Sequence, residues 1–172
     1  MMQIININGP INAGKTTVSK ILQTKLKNVL FIEVDDLLSD EEQESLHLSI
    51  RQGWTERLRR LDEKVVREKK LKRYQNIIFA YPMTDKMFYK WKKWEDETTK
   101  FINITLAPKE EICLQNRGTR TLTEWEKMRI QEMYREGYHK SAFADLIIDN
   151  SAQTPDETAC EIMDFLDSIG CL

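Results

Sequence analysis

Short apolar runs alternate with longer stretches whose apolar residues return every three or four positions, and this change of period predicts strands alternating with helices along the chain. Ile4, Ile5 and Ile7 read as a first buried strand. Residues 29–34, 76–81, 101–106 and 146–149 repeat the pattern as short runs rich in β-formers, apolar on successive positions as strands buried on both faces are. Between them Val18, Ile21, Leu22 and Leu26 form a helical stripe, as do Trp54, Leu58, Leu61 and Val65 in the second crossover. Ala159, Ile162, Met163, Leu166 and Ile169 do so at the end. Thr154-Pro155-Asp156-Glu157 supplies an N-cap, a first-turn proline and an N3 glutamate, and Thr123 with Glu126 repeats the capping box. The pattern predicts an α/β fold of three layers, a five-stranded parallel sheet flanked by helices, with right-handed crossovers and a ligand crevice at the carboxyl ends of the strands.

A chain of 172 residues suits one domain spanning 1–172. Its net charge of −2 argues against a general polyelectrolyte for nucleic acid or membranes. Cys113, Cys160 and Cys171 lack C-x-x-C spacing, and with only His47 and His139 beside them they are expected as reduced structural thiols rather than a zinc cluster. No leader pattern and no apolar stretch of about 18 residues is seen, so a cytoplasmic protein, monomer or homodimer, is expected.

Chemistry enters at residues 9–16, Gly-Pro-Ile-Asn-Ala-Gly-Lys-Thr, which fit the phosphate-binding pattern G-x-x-x-x-G-K-[ST] between a predicted strand and a predicted helix. In that setting Gly9 and Gly14 let the backbone curl, and the N–H groups around Asn12 and Ala13 point inward with the helix dipole behind them. Lys15 would reach the β and γ phosphates of ATP. Thr16 would place its hydroxyl on Mg2+, and Thr17 would line the site. The fold expected is therefore that of a P-loop NTPase.

Asp35 and Asp36 follow the second strand directly and so project toward the same crevice. A carboxylate there can accept the proton of an incoming hydroxyl and hold magnesium-bound water, and Asp35 is assigned that role. The competing reading makes Asp36 or Ser39 a helix cap, with Asp40, Glu41, Glu42 and Glu44 as first-turn acids. Residues 117–123 form the expected lid, from which Arg117 and Arg120 would close over the transferring phosphoryl group, with Gly118 as hinge or helix terminator. Arg129 and Arg135 lie on the next helix. The segment 36–75 is the expected substrate-binding insertion, offering Asp36 and Arg57 to the acceptor, and Thr84, after the third strand, is a further substrate contact or a helix cap.

Two basic stretches have a plainer explanation as solvated faces. Residues 56–73 mix cations and acids around an apolar stripe, and Lys90-Trp91-Lys92-Lys93-Trp94 suits tryptophans packed inward with lysines outside, although a nucleic-acid strand would also fit it.

The phosphate loop, the Asp pair, the lid arginines and the closing Asp-Leu-Ile-Ile-Asp strand together resemble shikimate kinases and chloramphenicol phosphotransferases over nearly the whole chain. Residues 34–37, Val-Asp-Asp-Leu, and 117–120, Arg-Gly-Thr-Arg, look most like the phosphotransferase pattern. Tyr81-Pro82-Met83-Thr84 with Thr105-Leu106-Ala107 is similar to tunicamycin-resistance proteins. The resemblance implies that the carboxylate at Asp35 activates the acceptor and that the arginine at Arg117 comes from the lid. Shikimate kinases carry a glycine-rich segment after the third strand, where this chain has Tyr-Pro-Met-Thr. The expected function is ATP- and Mg2+-dependent phosphorylation of a hydroxyl on a small molecule. The alternatives are a nucleoside monophosphate kinase, with Arg51 or Arg57 gripping the acceptor phosphate, and a regulatory or nucleic-acid-associated P-loop NTPase.

Overall fold

In the computed structural model, which describes residues 1–116 and 120–170, β1 (Met2–Asn8) is the centre of an all-parallel five-stranded sheet. The spatial order is β2 (Val29–Ile32), β3 (Asn76–Ala80), β1, β4 (Thr99–Leu106) and β5 (Leu146–Ile148). Chain order reverses direction at β1, which leaves an open crevice beyond its carboxyl end. All five predicted strands are present, and each ends within about two residues of its expected limit.

The two faces of β1 explain the layers. Ile5 and Ile7 point into a core shared with Val18 and Leu22 of α1 (Lys15–Lys25) and with Ala159, Ile162 and Leu166 of α7 (Pro155–Ser168). Ile4 points the other way, into a second core with Leu61 and Val65 of α3 (Ile50–Leu71) and an aromatic group of Phe79, Trp91, Trp94 and Phe101. A strand buried on both faces must be apolar on both parities, which is why these runs do not alternate. Trp91 and Trp94 stack with centroids 4.9 Å apart, at the end of α4 (Asp85–Trp91) and in the turn after it. Lys90, Lys92 and Lys93 remain exposed, so the basic aromatic stretch is core on one side and solvated charge on the other.

The long α3 differs from its predicted stripe. Trp54 stays 38% exposed, and the buried positions are Gly53, Arg57, Leu61, Val65 and Glu68. Spacing by four and then three puts those five on one face, and two of them are charged residues that find partners there. Glu68 receives Arg73 at 2.9 Å through Nε, and Arg57 is satisfied by the segment before α3. The predicted capping boxes at Thr154 and Thr123 both form, the latter starting α6 (Glu124–Arg135). No helix among the described residues is long and apolar enough to cross a membrane.

Candidate active site

The phosphate loop is held open by backbone that few side chains tolerate. Gly9 has φ 133, and a Cβ there would lie 2.3 Å from the Leu106 carbonyl oxygen, so only glycine lets β1 end this close to β4. Asn12 and Gly14 are left-handed at φ 64 and 92. Gly14 caps α1, so Lys15 and Thr16 are its first two residues. The loop is braced from two sides. Asn12 Nδ2 donates to the Cys113 and Gln115 carbonyls, both at 2.9 Å, and ties the loop to the end of α5 (Glu110–Cys113). Asn150 Nδ2 donates to the Ala13 carbonyl at 3.0 Å from the loop after β5. Asn12 and Asn150 therefore fix the loop through side chains, and Ala13 is buried beneath it.

Lys15 Nζ donates to the Pro10 carbonyl at 2.6 Å, across the mouth of the loop. Although the residue keeps part of its surface, its ammonium is enclosed, and desolvation pulls its pKa down to about 8. The Cys113 sulfur and the Asp35 carboxylate oppose that shift, while the Arg120 guanidinium adds to it. Asp35 and Arg120, from two other segments, are thus both close enough for their charge to be felt at Lys15. Thr16 is half-buried and Thr17 exposed. Arg120 Nη2 also donates to Glu126 Oε1 at 2.6 Å, the same glutamate that closes the Thr123 capping box. Arg117, with the rest of residues 117–119, lies outside the described residues.

Asp35 and Asp36 are exposed in the short turn Asp35–Leu37 after β2. Ser39, rather than Asp36, caps the next helix, α2 (Asp40–Ser45), whose first turn holds Asp40, Glu41 and Glu42. Arg57 reaches this turn from α3. Its Nε donates to the Asp35 carbonyl at 3.4 Å, Nη2 to the Leu38 carbonyl at 2.8 Å and Nη1 to Gln43 Oε1 at 2.8 Å. It therefore braces the peptide that carries Asp35. Thr84 stands at the N-cap of α4 without a capping side-chain bond, on a separate groove of about 540 Å³ shared with Lys86, Tyr138 and Lys140. Arg129 lies over Tyr138 and is bound by Glu132 and Glu136 at 3.0 Å each, and Arg135 Nε turns back to the Gln131 carbonyl of its own helix.

Several residues at this edge carry no motif. Asn8 joins three segments: its Oδ1 accepts from the Met83 N–H at 2.8 Å, and its Nδ2 donates to Thr105 Oγ1 at 3.1 Å and Ser141 Oγ at 3.0 Å. Asn6 Oδ1 likewise accepts from the Tyr81 N–H at 3.2 Å. Asparagines at alternate positions of an isoleucine-rich strand were the available signal, because a buried amide needs partners. Burial pushes the Tyr81 hydroxyl up to about 12, with Tyr138 and Asp35 adding to the shift.

The shikimate kinase family model matches residues 11–167. A comparison with the curated proteins finds no match. Among solved structures, the shikimate kinase of Aquifex aeolicus is similar at 21% identity, covering 98% of each chain with a TM-score of 0.61. A gluconokinase of Sinorhizobium meliloti is 15% identical, covering 98% of this chain and 93% of its own, with a TM-score of 0.68. The tunicamycin resistance protein of Deinococcus radiodurans is 17% identical over 96% of each chain, with a TM-score of 0.61. These likenesses show a shared P-loop kinase fold. Because the family match runs from inside the phosphate loop almost to the end of α7, the chain belongs to the shikimate kinase family.

Proposed function

We propose that this chain transfers the γ-phosphoryl group of ATP to a hydroxyl of a small molecule, with Asp35 accepting the hydroxyl proton. The observation that supports the reading is the glycine-shaped phosphate loop at the carboxyl end of β1, with Lys15 opening α1, Asp35 in the turn after β2, and the charges of Asp35 and Arg120 both felt at Lys15. In-line transfer needs a cation on the phosphates, a base on the acceptor and positive charge over the moving group, and these three side chains are of those kinds. Thr16 and Asp35 offer hydroxyl and carboxylate oxygens, the donors a magnesium ion takes alongside phosphate oxygens. Magnesium there would neutralise charge on the triphosphate. Lys15 would leave the Pro10 carbonyl for phosphate oxygens, and Arg57 would hold the Asp35 peptide in place while its carboxylate takes the proton.

The test pairs two variants under Mg-ATP with a panel of hydroxylated acceptors, following ADP release against a blank without acceptor. Lys15→Ala should fold and lose nucleotide affinity. Asp35→Asn should keep that affinity and lose transfer by about 100- to 10,000-fold, the usual worth of a positioned base. Full transfer by Asp35→Asn would remove Asp35 from the role.

A further inference from the structure

The groove beside Asp35 has a charge and surface character that selects its occupant. It holds about 560 Å³ between the end of β2, α2 and α3, and its wall includes Asp35, Asp36, Asp40, Ile50, Trp54 and Arg57. Among the described residues its wall carries three carboxylates and one guanidinium. That guanidinium is already engaged: the Arg57 side chain is 9% exposed, makes the three hydrogen bonds given above, and has Asp40 Oδ1 3.7 Å from Nη2. Turning it toward an anionic ligand would strip the Leu38 carbonyl and Gln43 of their donor and release the turn that carries Asp35. The next arginine along, Arg60, is held by Glu42 at 2.7 Å and Glu56 at 2.8 Å. Lys86 and Lys140 belong to the other groove.

Ser39 and Gln43 add polar groups to the wall, and Leu38, Ile50 and Trp54 give it its apolar surface. Trp54 is 38% exposed and Ile50 77% exposed, unusual for large apolar side chains on a helix otherwise dense with charge. Trp54 also packs against Tyr81, with ring centroids 6.0 Å apart at a tilt of 54°. The Arg57 guanidinium lies over the Trp54 ring at 5.2 Å, and the part of the ring left exposed, flanked by carboxylates, favours an apolar or cationic group and disfavours an anion.

We propose that the phosphate acceptor is an uncharged or amine-bearing hydroxyl compound with an apolar face, seated on Trp54 and Ile50, and not a carboxylic acid or a phosphate ester. This rests on the phosphotransfer reading above, and it departs from the acid that names the family.

Matched pairs test it: shikimate against its methyl ester, gluconate against glucosamine, and adenosine monophosphate against adenosine. Each is given to the full chain with Mg-ATP for ADP release, and without nucleotide for quenching of tryptophan fluorescence. The uncharged or amine member of a pair should be used with kcat/KM at least about fivefold above its acid partner, since one carboxylate about 4 Å from an anion opposes it by about 1 kcal/mol in water. The same members should quench fluorescence in the wild type and not in Trp54→Phe. Faster turnover or stronger quenching by the acids overturns the inference and leaves the phosphotransfer reading standing. If no acceptor raises ADP release above the blank, the phosphotransfer reading fails, and the quenching series alone then decides the charge preference of the groove.

Discussion

Replacing Asn8 by alanine removes the joint between the strand that leads into the phosphate loop and two loops of the crevice. Asn8, Met83 and Thr105 are buried, and Ser141 nearly so, so no solvent stands ready to replace the amide. The Met83 N–H would lose its acceptor, at a cost of about 1–3 kcal/mol for a buried donor. Two further hydrogen bonds, to Thr105 and Ser141, would be lost at about 1 kcal/mol each. The expected loss is about 3–5 kcal/mol, a large part of the roughly 5–15 kcal/mol that holds a domain folded. Urea unfolding followed by circular dichroism reads it directly: at a slope of about 2 kcal/mol per molar, the midpoint should fall by about 2 M with the slope unchanged. A loss under about 1 kcal/mol would show that the Met83 N–H finds another partner, and would refute Asn8 as the joint.

Lys15 should make nucleotide binding pH-dependent. Phosphate oxygens favour its charged form, so Mg-ATP affinity should be flat below pH 8 and fall toward tenfold per pH unit above it, with proton uptake visible by calorimetry in buffers of different protonation heat; constant affinity to pH 9.5 would refute this. Without nucleotide the sign for folding runs the other way: the folded pKa of about 8 lies below the ordinary 10.5, so the unfolded chain binds more protons between those values and this group makes stability rise with pH across them. Gly9→Ala should be more damaging than Gly14→Ala, although both glycines have positive φ. A Cβ at Gly9 meets the Leu106 carbonyl at 2.3 Å, adding a clash to about 1–3 kcal/mol of backbone strain, whereas one at Gly14 meets only Asn150 Nδ2 at 3.9 Å. Equal thermal stability of the two variants would contradict the close approach of β1 to β4.

Much of the fold was legible because its signals are local. A strand buried on both faces announces itself by consecutive isoleucines, a helix start by Thr154 and Glu157 three apart, and a phosphate loop by glycines whose spacing the backbone itself demands. Asp35 could be assigned to the crevice by the same logic, since a residue directly after a parallel strand emerges at the carboxyl edge. The outward turn of Trp54 was not legible: apolar spacing predicts a face but not what covers it, and here buried Arg57, held by the turn before α3, takes the inward position. Nor could the sequence relate Asn8 to Met83, Thr105 and Ser141, residues about 75, 97 and 133 positions away, because only strand order and register bring them together. Period, caps and the phosphate-binding pattern were determined by the sequence alone, through interactions within a few residues. The partners of buried polar groups, and with them the charge of the groove beside Asp35, were decided by the tertiary structure, because a buried amide or guanidinium is satisfied by whatever acceptors the packing delivers.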